Sequence, residues 1–195
     1  MTSVLSQVRA ATAAQHADLD SRLDVFARLA SAEGRRQFVA AQFSLHAAVE
    51  PLLQAMLGAI DGLSIGARQK SAVLREDLIA LGFSRTQIEQ LTQERAPALD
   101  DAHHALGFAY VLEGATLGGR VIRRIAAARG LSLEGLGYLD AYGEDVAVRW
   151  RAFCDVLERE GRLDIEAVVR GAIEGFAYAA DILLAPVPGR EKADA

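Results

Sequence analysis

Three glycines, Gly114, Gly118 and Gly119, fall inside an otherwise helix-forming run, Tyr110-Val-Leu-Glu-Gly-Ala-Thr-Leu-Gly-Gly-Arg120. A mid-helix glycine costs about 0.8–1 kcal/mol relative to alanine, so three impose roughly 2–3 kcal/mol that something must offset. Without Cβ atoms the backbone can approach a flat object and the helix can kink, which suits a planar ligand lying across it. Small residues also admit a neighbouring helix at short range, and spacing alone weighs the two readings equally. The second candidate is His16, which with Thr12 shares a predicted helix face with the apolar positions Leu5, Val8, Leu19 and Leu23. An imidazole on an apolar face is costly unless it is hydrogen-bonded or ligated. Asp20 stands one turn further on, where its carboxylate can take the proton of one ring nitrogen and leave the other for a metal. A hydrogen-bonded core histidine explains His16 alone; the two features together suggest a plate held between two helices, with iron at its centre.

The elements that must position these residues are helical. The 195 residues are 51% hydrophobic, 6% aromatic and 24% charged, a balance rich in the helix formers Ala and Leu. Periodicity predicts a first helix through Leu23 and a second over about Glu33 to Leu57, bent or interrupted by Pro51. A Gly-containing loop follows at 58–66, then a helix over about Ala67 to Leu81 stopped by Gly82, and a short one over Arg85 to Leu91 capped by Ser84. Asp100 or Asp101 caps a long run to Arg129 with Gly130 as its stop. A Gly-containing connector leads to helices over about Glu144 to Glu160, ended by Gly161, and about Ile165 to Leu184. No segment shows convincing period-two alternation, so the expected architecture is all-α: one domain over 1–185 and a flexible tail over 186–195.

Charge and composition exclude several classes. Twenty-one Lys+Arg against 26 Asp+Glu give a net charge of −5, the wrong sign for a chain that gains affinity by neutralising phosphates, so nucleic acid is not an expected partner. No stretch approaches the ~20 apolar residues that span a bilayer, and no signal-peptide pattern is visible. The single Cys154 can form no internal disulfide and no Cys/His cluster has zinc-site spacing, so the expected setting is the cytoplasm. GATLGG follows no strand and is not a dinucleotide fingerprint.

The Tyr110–Arg120 run, preceded by Arg9, Thr12 and His16 and followed by Trp150-Arg-Ala-Phe153, resembles the bacterial heme oxygenases, particularly the bacteriophytochrome-associated branch, over most of the chain. The resemblance implies a helical fold with heme, both cofactor and substrate, sandwiched between the N-terminal helix and a kinked Gly-rich helix. It implies that His16 is the proximal iron ligand, that Gly114, Gly118 and Gly119 cover the distal face, and that Arg9, with Arg151 as a weaker candidate, meets the propionates, for which a guanidinium fork is suited. Thr12 belongs to the same set of heme contacts. The implied reaction opens heme with O2 to biliverdin, carbon monoxide and ferrous iron, with electrons from a donor such as a ferredoxin or its reductase, and with a bacteriophytochrome apoprotein as a possible biliverdin acceptor. The position after the first glycine, Asp or Ser in this resemblance, is Ala115, which leaves backbone, water or Thr116 to deliver protons. That departure motivates the alternative: a heme-binding sensor or carrier of the same fold without turnover.

Other residues carry blander expectations. Glu113 is expected to pair at the surface. His103 and His104, after Asp100 and Asp101, are expected to be solvent-exposed at a helix start, and Cys154 to be a small core hydrophobe. Arg120, Arg123 and Arg124 form a solvated face that could also dock an acidic electron donor.

Overall fold

The computed structural model describes residues 2–93 and 96–185; the expected tail at 186–195 lies outside the described residues. Among these, regular structure is entirely helical: α1 (Val4–Leu23), α2 (Val25–Leu29), α3 (Ala32–Leu57), α4 (Ser71–Ala80), α5 (Arg85–Gln90), α6 (Ala102–Ala128), α7 (Val146–Gly161) and α8 (Ile165–Leu183). Short 3-10 turns occupy Ile65–Arg68, Leu91–Gln93, Gly137–Asp140 and Gly143–Asp145.

The caps explain most boundaries. Ser31 opens α3 by accepting the Gly34 N–H, Ser84 opens α5 with a reciprocal capping box to Gln87, and Asp101 opens α6 by accepting from His103 and His104. Gly82 and Gly130 take the left-handed backbone expected of helix stops. α1 starts at Ser3, whose hydroxyl accepts the Ser6 N–H, and is also fastened from a distance: Glu158 of α7 accepts the N–H groups of Val4 and Leu5 at 3.1 and 2.9 Å.

Four expectations are corrected or narrowed. Of the bend or interruption expected at Pro51, the interruption is absent: α3 continues through it to Leu57. The helix expected over 67–81 divides into the Ile65–Arg68 turn and α4, because the carboxylate of Glu50 accepts the N–H groups of Lys70 and Ser71 and so caps α4 from α3. α2 is additional, set off from α1 by Asp24 at φ 39°, where the Asp24 carboxylate also accepts the Ala27 N–H. α7 begins at Val146, after two 3-10 turns in the connector, and includes Gly161.

α6 and α8 form the closest helix pair, their backbones brought together where Gly107 faces Val168 and Ala172 and where Gly171 faces the carbonyl of His104. α1 and α6 are both braced by α7 and α8. The main apolar core joins α1, the second half of α3, the first half of α6, α7 and α8; a second core joins α2, the first half of α3, α4, α5 and the end of α6. The glycine cluster therefore sits on a helix anchored in both cores.

Candidate functional site

On α1 the buried row is Val4, Val8, Thr12 and Leu19. At 100° per residue His16 lies roughly 75° round the helix from the centre of that row. It is consequently not buried, as its spacing suggested, but 63% exposed at the margin of the core. Its ring packs 5.5 Å from that of Phe176 on α8, and Nε2 lies 3.5 Å from the Asp20 carboxylate. An exposed imidazole with one loose carboxylate neighbour is free to ligate. Thr12 is buried, but its hydroxyl donates to the Val8 carbonyl at 2.8 Å and is used up inside its own helix.

The three glycines of α6 have three different surroundings. A Cβ at Gly118 would meet nothing within 4 Å, and one at Gly114 would make ordinary contact with the Trp150 ring at 3.8 Å. At Gly119 the Cβ would stand 2.8 Å from the Leu139 carbonyl oxygen, so this glycine is required by close packing of the Gly137–Asp140 turn. Gly114 and Gly118, four residues apart, share one face of α6; Gly119 is turned aside from it. The helix is helical without interruption from Ala102 to Ala128. Gly175 of α8 abuts Phe108 and Val111 of α6, while the next residue, Phe176, abuts His16. That step of α8 links the imidazole to the helix bearing Gly114 and Gly118.

Arg9 and Arg151 are exposed, and Arg9 is close enough to Cys154 of α7 to act electrostatically on its thiol. Burial still pushes that thiol up, so half-buried Cys154 is no thiolate, as its neighbours implied. Ala115 is exposed. Thr116, the alternative hydroxyl, donates to the Glu113 carbonyl at 2.6 Å, turned back on its own helix.

Behind α6 lies a polar cluster that sequence reasoning missed. Glu113 does not pair at the surface: it is 3% exposed, bonded to Arg68 and to the Tyr142 hydroxyl (2.7 Å), with the Lys70 ammonium 3.4 Å away. Lys70, 2% exposed, donates to the Arg68 carbonyl and to Tyr142 (2.6 Å). Burial pulls the Lys70 ammonium below the usual lysine range, opposed by Glu113, and burial together with Glu113 pushes the Tyr142 phenol well up. Glu50 accepts from His46 Nδ1 at 2.9 Å; burial alone would raise its carboxyl, but His46 and the Lys70 and Ser71 N–H groups hold it below its ordinary value. A cavity of about 20 Å³, room for one water, separates the two halves, with His46, Glu50, Arg68 and Glu113 on its wall. The available signal was a charged residue at a core phase: Glu50 stands seven residues after Phe43 and three before Leu53, and Glu113 seven after Leu106 and three after Tyr110.

His104 is a further correction. It is 1% exposed, its Nδ1 accepting the Asp100 N–H at 3.2 Å and its Nε2 3.2 Å from Glu174, whereas His103 is the more open of the pair. Arg120 and Arg124 are exposed, as expected of a solvated face, although Arg120 donates to the Gly143 carbonyl; Arg123 is half-buried and donates to the Leu136 carbonyl. No group of three or more His, Cys, Asp or Glu side chains placed to hold a metal ion exists among the described residues.

These residues suit a flat iron-centred macrocycle: one free imidazole, an aromatic flank, a bare helix face and two exposed guanidinium groups. The class so defined is a helical heme-binding protein. The sequence model of the heme oxygenase family matches residues 2–185, and the chain belongs to that family. It is 30% identical over 177 residues to the heme oxygenase PigA of Pseudomonas aeruginosa, covering 86% of this chain and 85% of that one. It is 37% identical over 109 residues to the heme oxygenase of Xanthomonas campestris pv. campestris, covering 55% of this chain and 61% of that protein. In structure it is similar to the NO- and CO-bound heme oxygenase of Neisseria meningitidis (TM-score 0.77, 20% identity, 94% of this chain and 91% of that one). It is also similar to heme oxygenase 2 of Chlamydomonas reinhardtii solved without heme (TM-score 0.74, 16% identity, 96% and 99%). These two likenesses show the shared helical fold.

Proposed function

We propose that this chain binds heme between α1 and α6 and opens it oxidatively to biliverdin, carbon monoxide and ferrous iron, using O2 and electrons from an external donor. The observation that carries this reading is the bare face at Gly118, continuous with Gly114, on a helix linked through Phe176 to an exposed histidine. Family membership supports the activity. Bound heme supplies a redox-active iron and is itself the ring to be opened.

The chain's own residues divide the remaining work. His16 would hold the iron through one ring nitrogen, and the Asp20 carboxylate one turn on is near enough to accept the proton of the other after a small side-chain movement. Gly114 and Gly118 contribute absence of bulk, so a porphyrin would lie directly against the α6 backbone there. Trp150 and Phe176 exclude water from the apolar part of the seat. Arg9 and Arg151 would meet the propionates and set the in-plane rotation that selects the attacked carbon. Neither Ala115 nor Thr116 can present a proton to that face, one having no donor and the other spending its donor on Glu113. Ala115 and Gly118 are both exposed, so solvent water carries the protons.

A ferredoxin or its reductase would supply the electrons, and a bacteriophytochrome apoprotein is a fitting acceptor for the product. The free Cys154 thiol accords with a reducing cytoplasmic setting. The deciding experiment is an absorption time course of hemin-loaded protein given a reductant in air, with catalase present. Loss of the Soret band, growth of a biliverdin band and release of carbon monoxide are expected. A Soret band that shifts on reduction and is never consumed would instead establish the sensor or carrier suggested by Ala115, and no hemin-induced Soret shift would remove heme altogether.

A further inference from the structure

One buried side chain reaches both sides of the contact that frames the glycine face. Arg68 Nη1 donates to Glu113, the residue before Gly114, and Nη1 and Nη2 both donate at 3.2 Å to the carbonyl of Arg149, the residue before Trp150. Gly114 and Trp150 themselves meet, at 3.8 Å from the position of a Cβ. The Arg68 guanidinium carbon also lies 5.7 Å from the Phe153 ring centroid, and Phe153 stacks on Trp150 at 5.7 Å with planes 23° apart. Its Nε donates to the Leu63 carbonyl at 2.7 Å, so the fork is fixed at its base. Tyr142 and Lys70 hold the other oxygen of Glu113, which prevents that carboxylate from swinging away.

We propose that Arg68 is a positioning residue: its guanidinium sets the α6–α7 spacing at Gly114 and Trp150, and through that spacing the depth and in-plane rotation of a porphyrin seated on α6. The second half rests on the function proposed above. The geometry needs a planar group with donors diverging from one rigid fork, at 8% exposure. Lysine offers the same charge as a single point, whose donors radiate from one atom and cannot reproduce the planar fork that spans Glu113, the Arg149 carbonyl and the Leu63 carbonyl.

Trp150 is the only tryptophan of the chain, so its emission reports this contact directly, with or without a ligand. The test compares the apo protein with Arg68→Lys and with Glu113→Gln, which keeps the shape of the carboxylate, checking by circular dichroism that both stay helical. A red-shifted Trp150 emission and stronger acrylamide quenching are expected in both, with Arg68→Lys the larger. In the hemin-loaded proteins given reductant and O2, the ratio of biliverdin isomers should shift in the same order. Folded variants with unchanged emission and quenching overturn the clamp, whether or not the wild type takes up hemin. Altered emission with an unchanged isomer ratio overturns the link to the porphyrin. A wild type that binds no hemin overturns the function proposed above, and Trp150 emission still decides the spacing.

Discussion

The two sides of α6 differ more than residues one apart in sequence would suggest. On one side, Gly114 touches only the edge of Trp150 and Gly118 faces open space; on the other, Glu113 is locked to Arg68, Lys70 and Tyr142, and Gly119 is pressed on Leu139. The open side is cheap to alter and consequential for a ligand, whereas the closed side is costly to alter and touches no ligand. A helix that carries a bare face needs its position fixed from behind, and here ions and hydrogen bonds fix it where an apolar contact would leave it free to slide.

The difference can be broken most severely at Glu113. Glu113→Ala leaves Arg68 and Lys70 buried without their carboxylate, and a stability loss on the order of 3–5 kcal/mol is expected in urea unfolding. A loss under a third of that would mean the closed side is not locked. Gly119→Ala forces a methyl against the Leu139 carbonyl and should cost about 1–3 kcal/mol by the same measurement. Gly118→Ala is the opposite case: with nothing to meet, it should stabilise the hemin-free protein by about 0.8–1 kcal/mol while weakening hemin binding in a Soret titration. If Gly118→Ala and Gly119→Ala behave alike, the two faces are not distinct.

Smaller still is His16→Ala, exposed and unneeded for packing, which should move unfolding by no more than about 0.5 kcal/mol yet abolish the histidine-ligated hemin spectrum. Retention of that spectrum would assign the iron to another residue. The least effect at neutral pH belongs to the buried carboxyl groups, which speak only in acid. Glu50 is held below its ordinary 4.5, so its contribution is present above pH 4.5 and is lost as pH falls through its folded value. Asp77 runs the other way: burial raises it above 3.8 although it accepts from Gly137 and Tyr138, so its contribution grows as pH falls through its folded value. Glu50→Gln should therefore flatten, and Asp77→Asn steepen, the loss of melting temperature below pH 4.5. A change of the same sign in both would contradict the assignment.

The helices were legible because their signals are local: the caps Ser84 and Asp101 and the stops Gly82 and Gly130 act within a turn of their own positions. Glu50 capping α4 could not be read, since the donor N–H groups lie 20 and 21 residues away. Of the candidate site, the identity of His16 and the glycine face were visible, but not the phase of α1 that leaves His16 exposed. The division of the glycines into open and packed positions depends on the Leu139 turn, which no periodicity announces. Arg68 and Lys70 drew no expectation, because nothing in a linear sequence shows that Glu113 and Tyr142 lie against them.

The fastening of α1 has a temporal consequence. Its first turn is held by Glu158, 154 residues beyond Val4, and its flank rests on α7 and α8, which are synthesised well after it. The segment carrying His16 is thus synthesised before the helices that frame it and cannot dock until they exist. A nascent chain that lacks α7 and α8 displays the imidazole with no seat around it, so capture of a porphyrin belongs to the finished chain, not to its intermediates.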